Sequence, residues 1–374
     1  MAKKVKDSKK GNGLKAALVS LGAVSSQWTG EAMKSYFDVV DEIDLRTVEV
    51  HFSGKKAVVM VSNRPMKDYD CVYLKGSFRY ANILCAISNI LEKQCYMPLS
   101  SEAFTVVHDK LLTQLVLARH GIPTPKTWLN PTPESARKLL ENANYPLIMK
   151  FPQGTQGKGV MFAESYAAAS SILDVLSSLN QPFIIQEYIE TGSSDLRLIV
   201  IGDKVVAGMK RTASIKEKRA NIHAGGRADP FEPDEYLKKI AVDTAKVLGC
   251  EICGVDVLLS GARGPLVIEA NISPGLQGIQ KVTKGSIADK IAAHLYKRAY
   301  DMKNKSIEKG SKNILAEING EPAHCQEIIS SLDFRGTRIL LPEIVTKMAK
   351  FSQHEDYQIC FEKDKIVIKR FNID

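Results

Sequence analysis

The 374-residue sequence lacks the features that would assign it to a membrane or secreted class of protein. No apolar run approaches the roughly 20 residues that a bilayer-spanning helix needs. The N-terminal stretch MAKKVKDSKKGNG is basic and polar, and no apolar segment with a cleavage site follows it, so it does not resemble a secretory signal. We therefore expect a disordered tail over residues 1–13, a cytoplasmic protein and no membrane partner.

Cysteine is scarce: the sequence has seven cysteines, which are scattered along the chain and odd in number. This argues against a disulfide framework and favours a reducing compartment. Cys250 and Cys253 form a CxxC pair, but no second CxxC pair or nearby histidine pair completes a zinc site. We interpret the pair as structural, because Gly249 is placed to end a helix and Cys253 begins an apolar strand.

Charge is moderate, with a net value of +9, and part of it lies in the N-terminal tail. Such a charge favours an acidic partner (a nucleotide, an acidic peptide or nucleic acid) without choosing among them. A second concentration of charge is the loop from Lys210 to Arg227, which holds six basic residues and one acidic residue. This loop suits a carboxylate-rich substrate.

The periodicity of apolar residues predicts an α/β protein with an appended domain. Residues 14–104 alternate strand-like and helix-like stretches, and residues 105–304 form a larger unit whose last helix is expected to end near residue 300. The polar residues 305–312 are interpreted as a linker. Residues 313–374 predict a strand, a short helix starting at Pro342 and a hairpin about Lys363-Asp364.

The most informative segment is GVDVLLSGARGPLVIEANISPG, residues 254–275. It places Asp256 on one apolar strand and both Glu269 and Asn271 on the next, and side chains at i and i+2 of a strand share a face. A hairpin would bring the three together as hard oxygen ligands suited to Mg²⁺ with nucleotide phosphates. The alternative is an ordinary hairpin with a polar face.

Residues that suit nucleotide phosphates precede this hairpin. Lys110 and Lys150 lie at element boundaries, where a long side chain can reach a cleft, although such a lysine is more often a surface residue. The glycines of PQGTQGKG (Gly154, Gly157 and Gly159) free the backbone to fold over phosphates. This loop matches neither a P-loop nor a Rossmann turn. The QEYI segment at the end of a strand offers an adenine slot or, alternatively, a simple strand edge.

Taken in order, these motifs resemble the ATP-grasp ligases, and within them the RimK-type branch that adds glutamate to a carboxylate terminus. The matching strings are HDKLLTQLVLARHGIPTP, KFPQGTQGKGV, QEYI with DLRLIVIGDKVVAGMKR, RANIHAGG, and GVDVL with GPLVIEANISPGLQGIQK. The resemblance is close over residues 105–300 and looser over 14–104, where DYDCVYLKGS occupies the place of the first-domain substrate strand. It implies an α+β ATP-grasp fold, with a pre-ATP-grasp domain before the core.

The resemblance also implies roles for individual residues. Phosphate contacts fall on Lys110, Lys150, Gly154, Gly157 and Gly159. The adenosine contacts fall on Gln186, Glu187, Tyr188, Ile189 and, for the ribose, Asp195. The Mg²⁺ ligands, with Mn²⁺ as the alternative ion, are Asp256, Glu269 and Asn271. The residues near the γ-phosphate and the acceptor carboxylate, which we take as catalytic, are Arg211, Arg219, Asn221 and His223. His223 is either a proton carrier or a structural residue.

The implied reaction is ATP-dependent amide formation through an acyl phosphate, with glutamate as the expected amine and an acidic peptide, protein or small carboxylate as acceptor. The turn LLSGARGPLV is about one residue longer than expected for close relatives, and we expect only a longer turn. The C-terminal domain resembles AbrB-type swapped hairpins, which dimerise and often bind DNA; a simple packing module is the alternative.

Two functions of different class follow from the sequence. One is the ligase, expected to be a homo-oligomer (dimer or tetramer) that meets nucleic acid only through its C-terminal domain. The alternative is a nucleotide-responsive DNA-binding regulator with a degenerate core. Retention of Asp256, Glu269, Asn271 and both lysines favours the ligase.

Overall fold

The computed structural model describes residues 13–54, 56–152, 154, 159–179, 182–213, 227–318, 333–353, 355–363 and 365–371. The chain divides into two compact units, Met1–Ile307 and Glu308–Asp374. Apart from residue 13, the predicted N-terminal tail lies outside the described residues. Within these ranges, no helix combines the length and the apolar character needed to cross a membrane.

The first unit begins with a small α/β region, as predicted. Its elements are β1 (Lys15–Ser20), α1 (Val24–Met33), β2 (Val39–Asp44), β3 (Val48–Ser53), β4 (Lys56–Val61), β5 (Arg64–Pro65), β6 (Cys71–Leu74) and α2 (Ala81–Leu91). A parallel sheet has the order β2-β1-β6, and an antiparallel sheet has the order β3-β4-β5. Because β1 is the central strand and is buried on both faces, its run AALV is continuously apolar.

A four-stranded antiparallel sheet of order β7-β10-β8-β9 follows. The elements of this region are α3 (Ala103–Val106), α4 (Lys110–Arg119), β7 (Thr127–Trp128), α5 (Pro133–Glu141), β8 (Leu147–Lys150), β9 (Val160–Ala163), α6 (Tyr166–Ser178) and β10 (Ile184–Glu187). The predicted start of α5 is confirmed, because the Thr132 side chain accepts a hydrogen bond from Ser135 N and Pro133 occupies the first turn. Helices α5 and α6 contribute Leu140 and Leu173 to a core beneath this sheet.

The largest sheet is antiparallel and has five strands in the order β13-β12-β11-β14-β15. Its elements are β11 (Ser194–Ile201), β12 (Lys204–Thr212), β13 (Arg227–Pro230), α7 (Glu235–Val247), β14 (Ile252–Ser260), β15 (Gly264–Asn271), α8 (Gln277–Gln280) and α9 (Ile287–Ile318). The predicted β11–β12 turn at Gly202-Asp203 is correct, and Gly202 has a φ of +60° there. Leu237 of α7 and Ile291 of α9 join the main core with Val255 of β14.

The predicted end of the last helix near residue 300 is wrong, because α9 continues to Ile318 through the segment interpreted as a linker. The polar stretch MKNKSIEKGSKN contains no proline, and lysine and glutamate are good helix formers. A polar composition therefore did not end the helix. The division between the two compact units, after Ile307, falls inside it.

The second unit contains two hairpins and a short helix. Its elements are β16 (Asp333–Arg335), β17 (Arg338–Leu340), α10 (Glu343–Met348), β18 (Tyr357–Glu362) and β19 (Lys365–Arg370). The helix after Pro342 and the hairpin about residues 363 and 364 agree with the sequence prediction. Each hairpin forms its own two-stranded sheet. Large apolar side chains of this unit are exposed, and the most exposed is Phe361 at 81%.

Candidate active site

A cleft of about 680 Å³ lies within the first unit. It is lined by residues of the small α/β region, of the four-stranded sheet and of the five-stranded sheet. The loops after β1 and β6 form one side, and the four-stranded and five-stranded sheets contribute the rest. The predicted site residues that line it are Lys110, Lys150, Gly154, Gln186, Glu187, Tyr188, Ile189, Asp195, Arg211, Asp256, Glu269 and Asn271. Residues far apart in sequence thus share one cavity.

The hairpin of β14 and β15 brings Asp256 beside Glu269, as the sequence predicts, with a register shift between Asp256 and Val257. Asp256 lies opposite Glu269, and Gly254 lies opposite Asn271. Glu269 and Asn271 share a face of β15, and Asp256 faces the same cleft. The Oδ1 atom of Asn271 accepts a hydrogen bond of 2.9 Å from Ser273 N, which fixes the start of the following turn.

Two arginines hold the buried carboxylate of Asp256. Arg197 donates from Nε and Nη2 at 2.7 and 2.6 Å, and Arg211 donates from Nη2 at 2.9 Å. Arg211 also forms a two-bond contact with Asp195, with both distances 2.6 Å. Burial alone would raise the pKa of Asp256, but the two guanidinium charges outweigh it and lower that pKa to about 2. The two ion pairs lie side by side because β11 pairs with both β12 and β14. This pairing sets Asp195 opposite Arg211 and Arg197 opposite Asp256.

This network separates Asp256 from the other two expected metal ligands, Glu269 and Asn271. Both oxygens of Asp256 are engaged by arginine, whereas Glu269 forms no ion pair with any residue that the structure describes. In the described part of the chain, no three His, Cys, Asp or Glu residues form a ready-made metal cage. The oxygen donors that face the cleft still fit a hard cation that takes its remaining ligands from phosphate.

The two predicted phosphate lysines reach the cleft from different elements. Lys150, at the end of β8, is buried and donates to Gln186 Oε1 at 2.9 Å, and Gln186 Nε2 donates to Thr127 Oγ1 at 2.7 Å. Burial lowers the pKa of Lys150 to about 8, with Glu269 opposing the shift and Lys110 adding to it. Lys110 begins α4, and its Nζ atom donates to Gly154 O at 2.8 Å.

The glycine-rich loop is described only in part. Gly154 has a φ of 148° and Gly159 a φ of 77°, values that side chains rarely adopt. A Cβ atom at Gly159 would lie 2.5 Å from the Phe151 ring, so the close turn requires glycine. Gly159 does not line the cleft, unlike Gly154. The predicted Gly157 lies outside the described residues, as do Arg219, Asn221 and His223 of the basic loop.

The QEYI segment lines an apolar part of the cleft together with Ile148 and Leu258. The Glu187 side chain accepts a hydrogen bond of 2.7 Å from Arg263 Nη2. Its backbone N donates to Lys126 O at 3.0 Å. Tyr188 packs edge-on against Phe162 with 5.0 Å between ring centroids. The backbone N–H of Glu187 is therefore already engaged, and the apolar side chains around it are what the slot offers an adenine base.

Two cleft residues were missed as site residues by sequence reasoning. Arg197 holds Asp256, and its signal was the i, i+2 spacing from Asp195 on one strand. Lys75 follows the buried strand β6 and lines the cleft from the opposite side. A lysine directly after four buried residues, in YLKGS, was the available signal.

The CxxC pair agrees with its structural interpretation. Cys250 and Cys253 are buried free thiols, and Cys250 Sγ donates to Leu248 O at 3.2 Å. Gly249 has a φ of +68° directly after α7, which is the left-handed position that ends a helix.

A cleft between two antiparallel sheets, with lysines, a glycine-rich loop and carboxylates at one end, defines an ATP-dependent ligase of the ATP-grasp class. The RimK-like ATP-grasp domain model matches residues 107–295, and the chain belongs to this family. A probable alpha-L-glutamate ligase of Marinomonas sp. (strain MWYL1) is 35% identical over 274 residues, which cover 72% of this chain and 91% of that protein.

Solved structures agree on the fold. The ATP-grasp ligase PsnB, complexed with minimal precursor, Mg and ADP, has a TM-score of 0.60 and 18% identity, covering 76% of this chain and 98% of that one. The macrocyclase MdnC bound with precursor peptide MdnA from Microcystis aeruginosa has a TM-score of 0.56 and 15% identity. The match covers 75% of this chain and 99% of that one.

The family and the neighbours confirm the predicted α+β ATP-grasp fold and an enzyme that joins carboxylates to amines. The expected cofactors, ATP and Mg²⁺, agree with them. They give no support to the DNA-binding regulator, and they do not show an AbrB-like C-terminal domain.

Proposed function

We propose that the protein joins the amine of L-glutamate to a carboxylate of a peptide or protein, with conversion of ATP to ADP and phosphate. The observation that carries the proposal is the shared cavity of Lys110, Lys150, Glu269 and Asn271 beside the paired arginines. The choice of glutamate follows the probable alpha-L-glutamate ligases among the relatives. The choice of a peptide follows the neighbours bound to precursor peptides.

In this proposal the nucleotide lies along the cleft from QEYI to the β14–β15 hairpin. The apolar slot around QEYI holds adenine, and Lys110 and Lys150 contact the phosphates. Glu269 and Asn271 would hold Mg²⁺, with Asp256 behind them. The cation would neutralise part of the triphosphate charge during transfer.

The reaction requires two displacements. An oxygen of the acceptor carboxylate attacks the γ-phosphorus, the bond to the β,γ-bridging oxygen breaks, and an acyl phosphate and ADP form. The neutral amine of glutamate then attacks the acyl carbon, and phosphate leaves as the amide forms and the nitrogen loses a proton. Both steps develop negative charge on oxygen, which fixed cations stabilise.

Arg197 and Arg211 supply fixed positive charge in the cleft. Because Asp195 and Asp256 hold both guanidinium groups with bonds of 2.6 to 2.9 Å, these groups need little reorganisation when charge develops nearby. Asp256 then acts mainly through the arginines, and Glu269 is the carboxylate left for the cation.

The test is an assay with ATP, Mg²⁺, L-glutamate and a series of acidic peptides, followed by mass spectrometry of the peptides and measurement of ADP. We expect ADP release that requires both glutamate and peptide, with the peptide gaining the mass of one or more glutamate residues. The matched control is Glu269→Gln, which keeps the side-chain shape and should lose turnover. ADP release with no gain of mass, or a mass gain from another amine, would contradict the proposal.

We also propose that the C-terminal unit associates with a second copy of the chain. Ile359, Phe361 and Ile366 are exposed on the β18–β19 hairpin, and Phe334 is exposed on the first hairpin. Such a concentration of exposed apolar side chains is typical of an interface. Light scattering should give a dimer or larger for the full chain and a smaller mass for Phe361→Lys, while the exposed Lys363→Glu control keeps the larger one. A monomeric full chain at micromolar concentration would contradict it.

A further inference from the structure

The strand that bears Glu269 contains a β-bulge. In the pairing of β14 with β15, Asp256 lies opposite Glu269 and Val257 lies opposite Val267, so Ile268 is an extra residue on β15. Side chains of a regular strand alternate between its two faces. One extra residue therefore reverses the face of every side chain that follows it, relative to those before it.

The burial of β15 shows this reversal. Val267 and Ala270 both belong to the main core, although they are three residues apart and a regular strand would place them on opposite faces. Glu269 and Asn271 line the cleft instead. Without the bulge, Glu269 would share the face of Val267 and point to the core. The bulge is therefore what directs the two proposed cation ligands into the cleft.

The side chain of Gln114, from helix α4, holds the bulge. Gln114 is 4% exposed, and its Nε2 atom donates to Ile268 O at 3.1 Å and to Val267 O at 3.4 Å. The segment after α4 adds a backbone bond, in which Val267 N donates to Pro123 O at 2.8 Å. A bulge interrupts the hydrogen bonds between its two strands, and a buried carbonyl group needs another donor. Gln114 supplies that donor at the extra residue.

The same helix presents Lys110 to the cleft. Lys110 and Gln114 are four residues apart on α4 and therefore lie on one face of the helix. Lys110 N donates to Pro152 O at 2.9 Å, and its Nζ atom donates to Gly154 O at 2.8 Å. One face of α4 thus contacts both the glycine-rich loop, proposed to meet the phosphates, and the strand proposed to meet the cation.

We propose that Gln114 is a positioning residue, which fixes the bulge at Ile268 and thereby keeps Glu269 and Asn271 directed at the cation. The proposal rests on the proposed ligase function, which assigns the cation to these two side chains. Gln114 is not among the described residues that line the cleft, so it acts through the strand and touches neither substrate nor cation. Loss of its amide group should displace both ligands.

The first test measures cation binding without turnover. Mn²⁺ is titrated into the full chain with a non-hydrolysable ATP analogue, and free Mn²⁺ is followed by electron paramagnetic resonance. Gln114→Leu keeps the approximate size of the side chain and removes the donor. It should weaken Mn²⁺ binding about tenfold or more, as loss of a group that orients a metal ligand typically does.

The matched control is Thr113→Val on the same helix. Thr113 is also buried, and its Oγ1 atom donates to Val106 O at 2.9 Å, away from β15. Its variant therefore loses a buried hydrogen bond without touching the bulge, and its Mn²⁺ affinity should stay within about twofold of wild type. Equal affinity in wild type and Gln114→Leu would overturn the proposal. An equal loss in Thr113→Val would also overturn it, because the effect would then come from stability.

The second test restores the hydrogen bond by protonation. Gln114→Glu has the shape of the wild-type side chain but donates to the two carbonyl oxygens only when its carboxyl group is protonated, a form that burial favours by raising the pKa. Relative to wild type at the same pH, its Mn²⁺ affinity should be nearly normal at about pH 5 and reduced at about pH 8. A reduction that does not change with pH would overturn the role of the donor.

The two proposals can fail separately. If no peptide is modified but Gln114→Leu still weakens Mn²⁺ binding, the ligase proposal fails and the positioning role stands. If wild type and Gln114→Leu modify peptides with the same Mg²⁺ requirement, the positioning role fails and the ligase proposal stands.

Discussion

The carboxylate of Glu187, at the end of β10, accepts a hydrogen bond of 2.7 Å from Arg263 in the turn between β14 and β15. The two residues belong to different sheets of the first unit. The turn that was expected only to be longer therefore contacts the segment proposed to hold adenine. This contact brings a guanidinium group of the turn to the end of β10.

Replacing Arg263 with Ala should weaken nucleotide binding while leaving the fold intact. The pair is partly exposed, with side chains 39% and 21% accessible, and such pairs are worth at most about 1 kcal/mol. We expect the KM of ATP to rise about threefold and the Tm to change little. The control is Arg137→Ala, whose side chain is 38% exposed and pairs with Asp174 between two helices. An unchanged KM would show that the turn does not support the adenine segment.

Asp256→Asn and Glu269→Gln should separate structural from catalytic carboxylates. Asp256 is buried between two arginines, so neutralising it leaves buried guanidinium charge and should cost about 3 kcal/mol of unfolding free energy. Glu269 forms no ion pair with the described residues, so Glu269→Gln should leave stability nearly unchanged while activity falls. Urea unfolding with turnover assays over a range of Mg²⁺ concentrations measures both effects. Equal destabilisation by the two variants would contradict this division.

Nucleotide use should weaken at alkaline pH because of Lys150. Burial lowers the pKa of Lys150 to about 8, so the ammonium is present below that pH and is lost as the pH rises through it. We expect kcat/KM for ATP to fall above about pH 8. Lys150→Arg keeps the charge at all these pH values and should remove the decline, whereas Lys67→Met should retain it. A decline that persists in Lys150→Arg would assign it to another group.

Stability at acidic pH should depend on Glu251. Burial on its own would raise the pKa of Glu251, but hydrogen bonds from His294, Arg298 and Tyr96 at 2.8 to 2.9 Å outweigh it and lower that pKa to about 2. The group is therefore more acidic in the folded state, so its contribution is complete above about pH 4.5 and is lost as the pH falls toward 2.

Urea titrations between pH 2 and pH 6 measure this contribution to the unfolding free energy, within the range where buried carboxylates titrate. Glu251→Gln should be less stable than the wild type at pH 6, and the difference should shrink as the pH falls. The exposed Glu232→Gln serves as control and should follow the wild type. A difference that stays constant with pH would mean that the cluster acts through packing rather than charge.

The shared face of Glu269 and Asn271 was accessible from sequence because their i, i+2 spacing on one strand requires it. The position of Asp256 opposite Glu269 depends in addition on a register shift between Asp256 and Val257, which neither the periodicity nor the turn predicts. The arginine partners of Asp256 were not accessible in this way. They come from β11 and β12, and which strand lies beside β14 depends on the sheet order rather than on local spacing.

The two other failures have different physical causes. The extent of α9 was missed because a polar segment and a linker have the same composition, and only backbone hydrogen bonding distinguishes them. Lys75 was missed because a lysine after a strand is usually solvated. Its burial, at 4% exposure, exists only in the folded chain.

The bond between Gly76 N and Ser273 Oγ has a consequence for how substrate choice can diverge in this fold. Side chains around the loop after β6 can be exchanged without touching the residues proposed to handle ATP. The backbone of that loop cannot be displaced in the same way, because it is joined to the strand that bears Glu269 and Asn271. New acceptors should therefore be easiest to reach by point substitutions at positions such as 75, 77 and 78, and hardest to reach by insertions or deletions there.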